Sequence, residues 1–317
     1  MPRVSVIVPV FNGAATVGEA IASVLAQSYR DFELIVVDDG STDATADVLA
    51  RYAGAIKLIT RANGGISAAR NSGMRAATGE YVALLDCDDV WMPAMLEQTV
   101  AALDAAPHCV LAYTDLAVTD SEGSALDTAL VGPLSAHAPT LDEMLTRLWP
   151  IMPSAVVIRR RVLEAIGGFA EEFRSYGYED AWCWMRAREL GEFCYIPERL
   201  VQWRFSAYPR PLKDLTFNSA ARAQFARMVH ERWGRSVEPL LRSRMRASRS
   251  LLGYIGLREL RNGNRRRARE AFRRALQLDP WRVKNYLRWT RTWLPDGLAR
   301  ALGGRTARTI ARETQGA

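Results

Sequence analysis

Residues 4–10, VSVIVPV, form a near-continuous β-branched run, the pattern of a strand buried on both faces. The run enters a turn at Phe11-Asn12-Gly13, and then Val17, Ala20, Ile21, Val24 and Leu25 recur at helical spacing over residues 14–27. Apolar runs at 32–37, 56–59 and 81–85 predict further strands. Helices are predicted between them, at 44–52 with Thr42 or Asp43 as its cap, and at 67–77. This alternation predicts an α/β fold with a parallel sheet covered by helices on both faces. Ligands of such sheets bind beyond the carboxyl ends of the strands. Three polar clusters fall there, at residues 11–13, 38–43 and 86–89.

The second half carries a weaker pattern. Trp91-Met92-Pro93 reads as the start of a helix reaching residue 105, with strands at 110–115 and 154–158 and a turn at 119–123. Residues 124–140, rich in Ala, Gly and Pro, read as loop, and 141–149 as a short helix. A basic triplet, Arg159-Arg160-Arg161, precedes 162–166 and a Gly167-Gly168-Phe169 turn. Glu179-Asp180 opens a helix to about residue 190, and 200–206 reads as a closing strand. Residues 215–233 read as helical, as do 251–260 and 265–278 about a turn at 262–264. In a last helix, 282–293, Tyr286, Trp289 and Trp293 fall at helical spacing among Arg282, Lys284, Arg288 and Arg291. The expected division is 1–105, 106–230 and a basic helical extension 231–317 whose end, after about residue 303, reads as disordered.

Charge sharpens that division. Residues 232–317 hold 22 Lys and Arg against 6 Asp and Glu, so the preceding residues hold 20 against 29 and the basic character belongs to the tail. A basic appendage suits an anionic partner. The aromatic and cationic helix fits an anionic membrane surface, contacted through residues 281–317, and equally a basic face packed on the acidic body. Nucleic acid is not expected, since no binding module accompanies the charge. The four cysteines show no CxxC spacing and the chain has only three histidines, which disfavours zinc and suggests a reducing compartment. No run approaches the ~18 apolar residues of a membrane span, and the N-terminus lacks a signal-peptide pattern. The expectation is a cytoplasmic protein, peripheral at the membrane if the tail binds there.

Candidate chemistry gathers at the strand ends. Asp86, Asp88 and Asp89 repel one another unless a cation or donors sit among them, and a divalent metal carrying phosphates would supply that charge. The plain alternative is a polar loop in which Asp89 caps the next helix. Phe11 is placed to stack a base or to join the core; Asp38 and Asp39 offer acceptors for a pyrimidine N3–H or an Asx turn. In the stretch from Arg61 through Asn63, Gly64 and Gly65, the glycines permit close approach, and Ser67 opens a helix whose N-terminus favours anions. Arg70 fits a phosphate or the neighbouring acids. Neither GxxxxGK[ST] nor GxGxxG follows the first strand, which argues against ATPase and dinucleotide chemistry.

VSVIVPVFNG, ELIVVDDGSTD, NGGISAARNSG and ALLDCDDVW, in this order and spacing, closely resemble family 2 glycosyltransferases, and the likeness extends more weakly to about residue 206. The resemblance implies the GT-A fold, a Rossmann-like, mostly parallel sheet sandwiched by helices. It implies a nucleotide-diphosphate sugar donor, Mg²⁺ or Mn²⁺, and inversion at the sugar carbon. The matching residues Pro9, Phe11, Asp39 and Arg70 would line the nucleotide site, with Asn12, Asp38 and Asn63 beside them. Asp86 and Asp88 match the DxD that meets metal and diphosphate, Asp88 the closer. Asp180 of the Glu179-Asp180 pair matches the general base, a group worth ~10²–10⁴-fold in rate. Trp203-Arg204 matches the closing strand, but Ser206 stands where histidine is usual. QxxRW, the mark of processive synthases, is absent. Residues 251–280 resemble one tetratricopeptide repeat, too few for a solenoid.

The expected activity is non-processive sugar transfer to a hydroxyl of a glycan, lipid-linked or protein acceptor in surface-glycan assembly. Two rivals stay open. A nucleotidyltransferase also pairs such a sheet with metal-binding aspartates, but brings a Gly-rich loop with Arg and Lys after the first strand. A degenerate transferase domain serving as an adaptor is motivated by the missing histidine.

Overall fold

The computed structural model describes residues 1–119, 138–146, 151–173, 178–204, 219–244, 256, 260, 265–278 and 283–293. The chain falls into two compact units, one of Met1–Arg210 with Phe217–Leu240, the other of Pro211–Thr216 with Leu241–Ala317. In the first unit the described strands form an eight-stranded sheet ordered β3-β2-β1-β4-β7-β6-β8-β5. These are β1 Val4–Val10, β2 Phe32–Asp38, β3 Lys57–Thr60, β4 Tyr81–Leu84, β5 Val90–Trp91, β6 Cys109–Thr119, β7 Val156–Arg159 and β8 Glu192–Arg204. Its helices are α1 Val17–Leu25, α2 Thr45–Ala50, α3 Ile66–Ala76, α4 Met95–Ala105, α5 Leu141–Thr146, α6 Arg160–Ile166, α7 Glu179–Arg188 and α8 Ser219–Trp233.

The β-branched run of β1 is buried along its whole length and pairs in parallel with β2 on one side and β4 on the other. Register does the positioning. Val10 lies beside Asp38, and Ile7 beside Leu84, so the loops after β1, β2 and β4 leave the sheet at one edge. Beyond β4 the direction reverses: β7 runs antiparallel to both β4 and β6, while β6 and β8 run parallel. The sheet is therefore mixed and mostly parallel, as expected. Its core joins Val6, Val8, Ile21, Val36, Ala83, Leu96 and Val157, all fully buried.

Four expectations are corrected. Trp91 does not start a helix: with Val90 it forms β5, antiparallel to β8, and its indole N–H donates to the Ser154 carbonyl at 2.7 Å. The helix begins only at Met95. Asp89 does not cap that helix, whose N-terminus lacks a side-chain cap; buried instead, it accepts from the Ser154 hydroxyl and from the Arg204 N–H. The strand expected at 110–115 begins at Cys109 and continues as β6 to Thr119, because β8 runs beside it from Glu192 to Arg204; of the turn expected at 119–123, residues 120–123 lie outside the described residues. Cys109 and Cys194 form a disulfide between β6 and β8, a pairing the sequence reading did not expect, while Cys87 and Cys183 are free thiols. The 85-residue separation hides a pairing that parallel neighbours bring to a Cα distance of 6.0 Å.

In the second unit α9, Arg265–Leu278, turns Ala268, Ala271, Phe272 and Ala275 inward at helical spacing. Helix α10, Val283–Arg291, meets it through buried Asn285, whose amide donates to the Ala275 carbonyl at 3.5 Å. No helix of the described residues is long and apolar enough to cross a membrane. The expected turn at 262–264, most of helix 251–260, Trp149, Ser206 and the tail after 303 lie outside the described residues, as does the loop 124–140 except for 138–140.

Candidate active site

At the end of β1, Asn12 takes a positive φ of 53°. Its amide oxygen accepts the Thr42 N–H at 2.8 Å, and its own N–H donates to Ser41 Oγ at 2.9 Å, which pins the first turn to the second. Phe11 beside it is 47% exposed, so the core alternative for this aromatic is excluded. Pro9 is buried within β1, opposite Val37.

The β2 end is tied to the stretch before α3. Asp38 accepts the Ser41 N–H at 2.9 Å. The buried Asp39 carboxylate accepts from Gly64 N–H at 3.1 and 3.2 Å and from Gly65 N–H at 2.8 Å, and Arg61 lies 3.5 Å from it. Gly40 makes this approach possible: its φ is +79°, and a Cβ there would stand 2.8 Å from the Asn63 nitrogen. Asn63 itself is exposed at the rim. Helix α3 opens on Gly65, and the buried Ser67 hydroxyl next to this end has no hydrogen-bond partner.

One turn along α3, Arg70 is 2% exposed and joins the motifs of the two halves. Its guanidinium lies 2.7 Å from Asp86 and 3.5 Å from Glu179, and 5.2 Å above the Phe169 ring. Burial opposes its charge, but Asp86, Glu179 and then Asp180 outweigh that and hold its pKa above the ordinary arginine value. The next residue, Asn71, clamps the glycine turn. Its side chain bonds both the N–H and the carbonyl of Phe169, each at 2.8 Å, just after Gly167 and Gly168 take φ of +81° and +76°. That turn thus terminates α6, as glycine commonly does, and also fixes Phe169 beneath Arg70.

The acid loop is organised around Ser154. Asp86 N–H donates to its hydroxyl at 3.0 Å, and that hydroxyl donates to Asp89. Burial, then the charges of Asp88 and Asp86, push the Asp89 carboxyl well above its ordinary range. Burial, then the charges of Asp88, Asp86 and Asp89, push the Cys87 thiol up as well. Arg204 closes the far side: its N–H meets Asp89 at 3.1 Å, and its guanidinium pairs with Glu19 of α1. Trp203 packs partly buried on the sheet core. Asp88 and Asp180 are each half-buried, Asp180 accepting the Ala181 N–H at 2.6 Å in the first turn of α7.

The structure therefore brings Asp86, Arg70 and Glu179 into direct contact, and Asn12, Asp38, Asp39 and the 63–65 stretch into a second, adjoining set. Helix α3 serves both. Sequence reading missed Ser154, Asn71 and Glu19; each acts across at least 65 residues, and although Asn71 lies within the NGGISAARNSG motif, nothing local shows its partner Phe169. For a divalent cation, Asp86 and Asp88 provide hard oxygen donors of the right kind. Among the described residues no three His, Cys, Asp or Glu side chains converge on one point.

The sequence profile of glycosyl transferase family 2 matches residues 5–167, just over half of the 317 residues. The chain belongs to glycosyl transferase family 2. The matched span contains Pro9 through Asp88 and stops before Glu179, Asp180, Trp203 and Arg204. Among family relatives, an uncharacterized glycosyltransferase of Nostoc sp. is 38% identical over 52% of this chain and 53% of its own length. The putative glycosyltransferase EpsE of Bacillus subtilis is 33% identical, over 60% of this chain and 68% of its own. TuaG of the same organism, a putative teichuronic acid biosynthesis glycosyltransferase, is 36% identical over 45% of this chain and 57% of its own. The chain thus spans about half the length of the first of these. The fold is shared with S. aureus TarS, at a TM-score of 0.54 and 19% identity over 92% of this chain and 90% of that one. It is shared too with the mannosyltransferase PcManGT of Pyrobaculum calidifontis, solved with GDP-Man and Mn²⁺, at 0.54 and 21% over 99% and 86%. These likenesses identify the sheet and its helices as the GT-A fold.

Proposed function

We propose that this chain transfers a sugar, with inversion and without processivity, from a nucleotide-diphosphate sugar to an acceptor hydroxyl. The observation that carries the reading is a set of buried donors without partners at one edge of the sheet. Ser67 Oγ, Arg70 Nε and Arg204 Nε are each buried and unbonded. Buried polar groups ordinarily find partners, and a diphosphate offers the acceptors these three lack. Family membership and relatives' structures with UDP, UDP-GlcNAc and GDP-Man support the donor class.

In this reading residues 1–105 hold the donor and 106–230 the acceptor. Exposed Phe11 stacks on the base, and Asp39, oriented by Gly64 and Gly65, accepts from its edge, with Asn12, Asp38 and Asn63 shaping the rim. Arg70 and Arg204 face the diphosphate. Asp88 and Asp86 would hold Mg²⁺ or Mn²⁺, which when bound offsets charge on the leaving diphosphate. Asp180 takes the proton of the acceptor hydroxyl as its oxygen bonds to the anomeric carbon. The bond from that carbon to the diphosphate breaks on the opposite face, and the electron pair leaves on the diphosphate oxygen. One carboxylate base with no nucleophilic partner suits single displacement. Glu179 positions α7 through Arg70. TuaG's name supports a cell-surface polysaccharide as the setting, with a glycan, lipid-linked or protein acceptor.

The test is turnover of UDP-, GDP- and dTDP-sugars with Mn²⁺. Release of one nucleoside diphosphate class, abolished by EDTA, is expected. Release of pyrophosphate from a nucleoside triphosphate and a sugar phosphate would instead make the chain a nucleotidyltransferase.

A further inference from the structure

Helix α10 is oriented the wrong way round for a helix of a water-soluble bundle. The residues it turns to the inside are polar: Asn285 and, just past the helix end, Thr292 are buried at 2% and 1%. Its large apolar residues point outward, with Val283 68%, Leu287 65%, Tyr286 46% and, beyond the last turn, Trp293 60% exposed. Positions 283, 286, 287 and 293 fall on one side of a helix of 3.6 residues per turn. A surface helix ordinarily does the reverse and buries its apolar stripe.

Charge says what covers this face. Helix α10 carries Lys284, Arg288 and Arg291 and no acid, all three on the flank between the outward and inward sides. Across residues 265–293 ten Lys and Arg stand against two acids. The Arg269 guanidinium sits 4.2 Å from the centre of the Trp293 ring, so a cation and an indole are presented together. Tyrosine and tryptophan are the side chains that settle where acyl chains meet headgroups, and arginine and lysine reach from there to lipid phosphates.

We propose that the outward face of α10 docks the protein flat on a bilayer containing anionic lipid. Val283, Leu287 and Trp293 enter the acyl boundary, Tyr286 lies at the headgroup level, and Lys284, Arg288 and Arg291 meet lipid phosphate. This goes beyond sugar transfer and does not depend on it.

The full-length chain should co-sediment with vesicles of phosphatidylcholine mixed with phosphatidylglycerol at low salt, and far less with phosphatidylcholine alone or at high salt. Val283→Ser with Leu287→Ser, both at exposed positions, should weaken partitioning by more than about tenfold while circular dichroism stays unchanged. Lys284→Gln with Arg291→Gln should weaken it by more than about tenfold on anionic vesicles only. Equal sedimentation of all three proteins would overturn the proposal, as would equal binding of wild type to neutral and anionic vesicles. It is also overturned if wild type ignores vesicles and is a dimer by light scattering that Val283→Ser with Leu287→Ser makes monomeric; the face is then a self-contact.

Discussion

Replacing Arg70 by methionine should be among the most damaging single changes in the unit that carries the eight-stranded sheet. The side chain is 2% exposed and faces Glu179, itself 5% exposed, at 3.5 Å, and Asp86 at 2.7 Å. Methionine keeps the unbranched stem but removes the guanidinium, and with it the charge that faces Asp86, Glu179 and the Phe169 ring. Removing one partner of a buried ion pair costs ~3–5 kcal/mol, because the other charge is left without compensation. Asp86 retains 26% side-chain exposure and is partly solvated, and the Glu179 contact is long, which places the expected loss near ~3 kcal/mol. Urea unfolding at neutral pH should show it as a fall in midpoint at constant slope. Adding Glu179→Gln should restore at least ~1 kcal/mol, since the stranded acid is then gone. A loss below ~1 kcal/mol, or simple additivity in the double variant, would refute the picture of Arg70 as the electrostatic bridge between Asp86 and Glu179.

Asn71→Ala removes both bonds to Phe169 and should cost about 2 kcal/mol in urea unfolding, by stranding buried backbone groups. An unchanged midpoint would mean that the glycine turn holds Phe169 unaided. Phe11→Ala should weaken binding of the nucleoside diphosphate by about 5- to 150-fold in calorimetry, the ~1–3 kcal/mol of one base stack. Because Phe11 is 47% exposed, stability should stay within ~0.5 kcal/mol; unchanged affinity would remove its stacking role. Hydrogen bonds from Arg3, at 2.7 and 3.0 Å, hold the Asp104 carboxyl below its ordinary value. An acid lowered in the folded state contributes stability above its unfolded pKa, about 4, and loses it as pH falls through the folded value. Asp104→Asn should therefore flatten the decline of stability with acid below about pH 4, and an unaltered slope would assign that decline to other groups.

The first strands and the polar clusters at their ends were legible because their signals are local. A fully buried parallel strand must be apolar along its length, and residues 4–10 and 32–37 say so without neighbours. Parallel register then brings their polar ends to one edge, which is why the clusters at 11–13, 38–43 and 86–89 could be grouped before any coordinates. The features that escaped sequence reading depend on partners distant in the chain. Trp91 looks like a helix start beside Pro93, yet pairing with Val201 makes it a strand. Asp89 sits where a cap would, but Ser154 and Arg204 draw it into the core. Cys109 and Cys194 carry no spacing signal for a bond that two parallel strands create. From sequence, Phe11 and Arg70 each admit two readings, and burial decides them differently. The aromatic is outside the core, and the arginine is a buried structural bridge whose Nε has no hydrogen-bond partner.

The proposed mechanism gives Asp180, the first-turn acid of α7, the acceptor's proton. The direct measurement is Asp180→Asn, compared with wild type for nucleoside diphosphate binding and for sugar transfer in the same preparation. Binding should hold within about twofold, while transfer falls by ~10²–10⁴-fold. Transfer at the wild-type rate by Asp180→Asn would contradict the assignment.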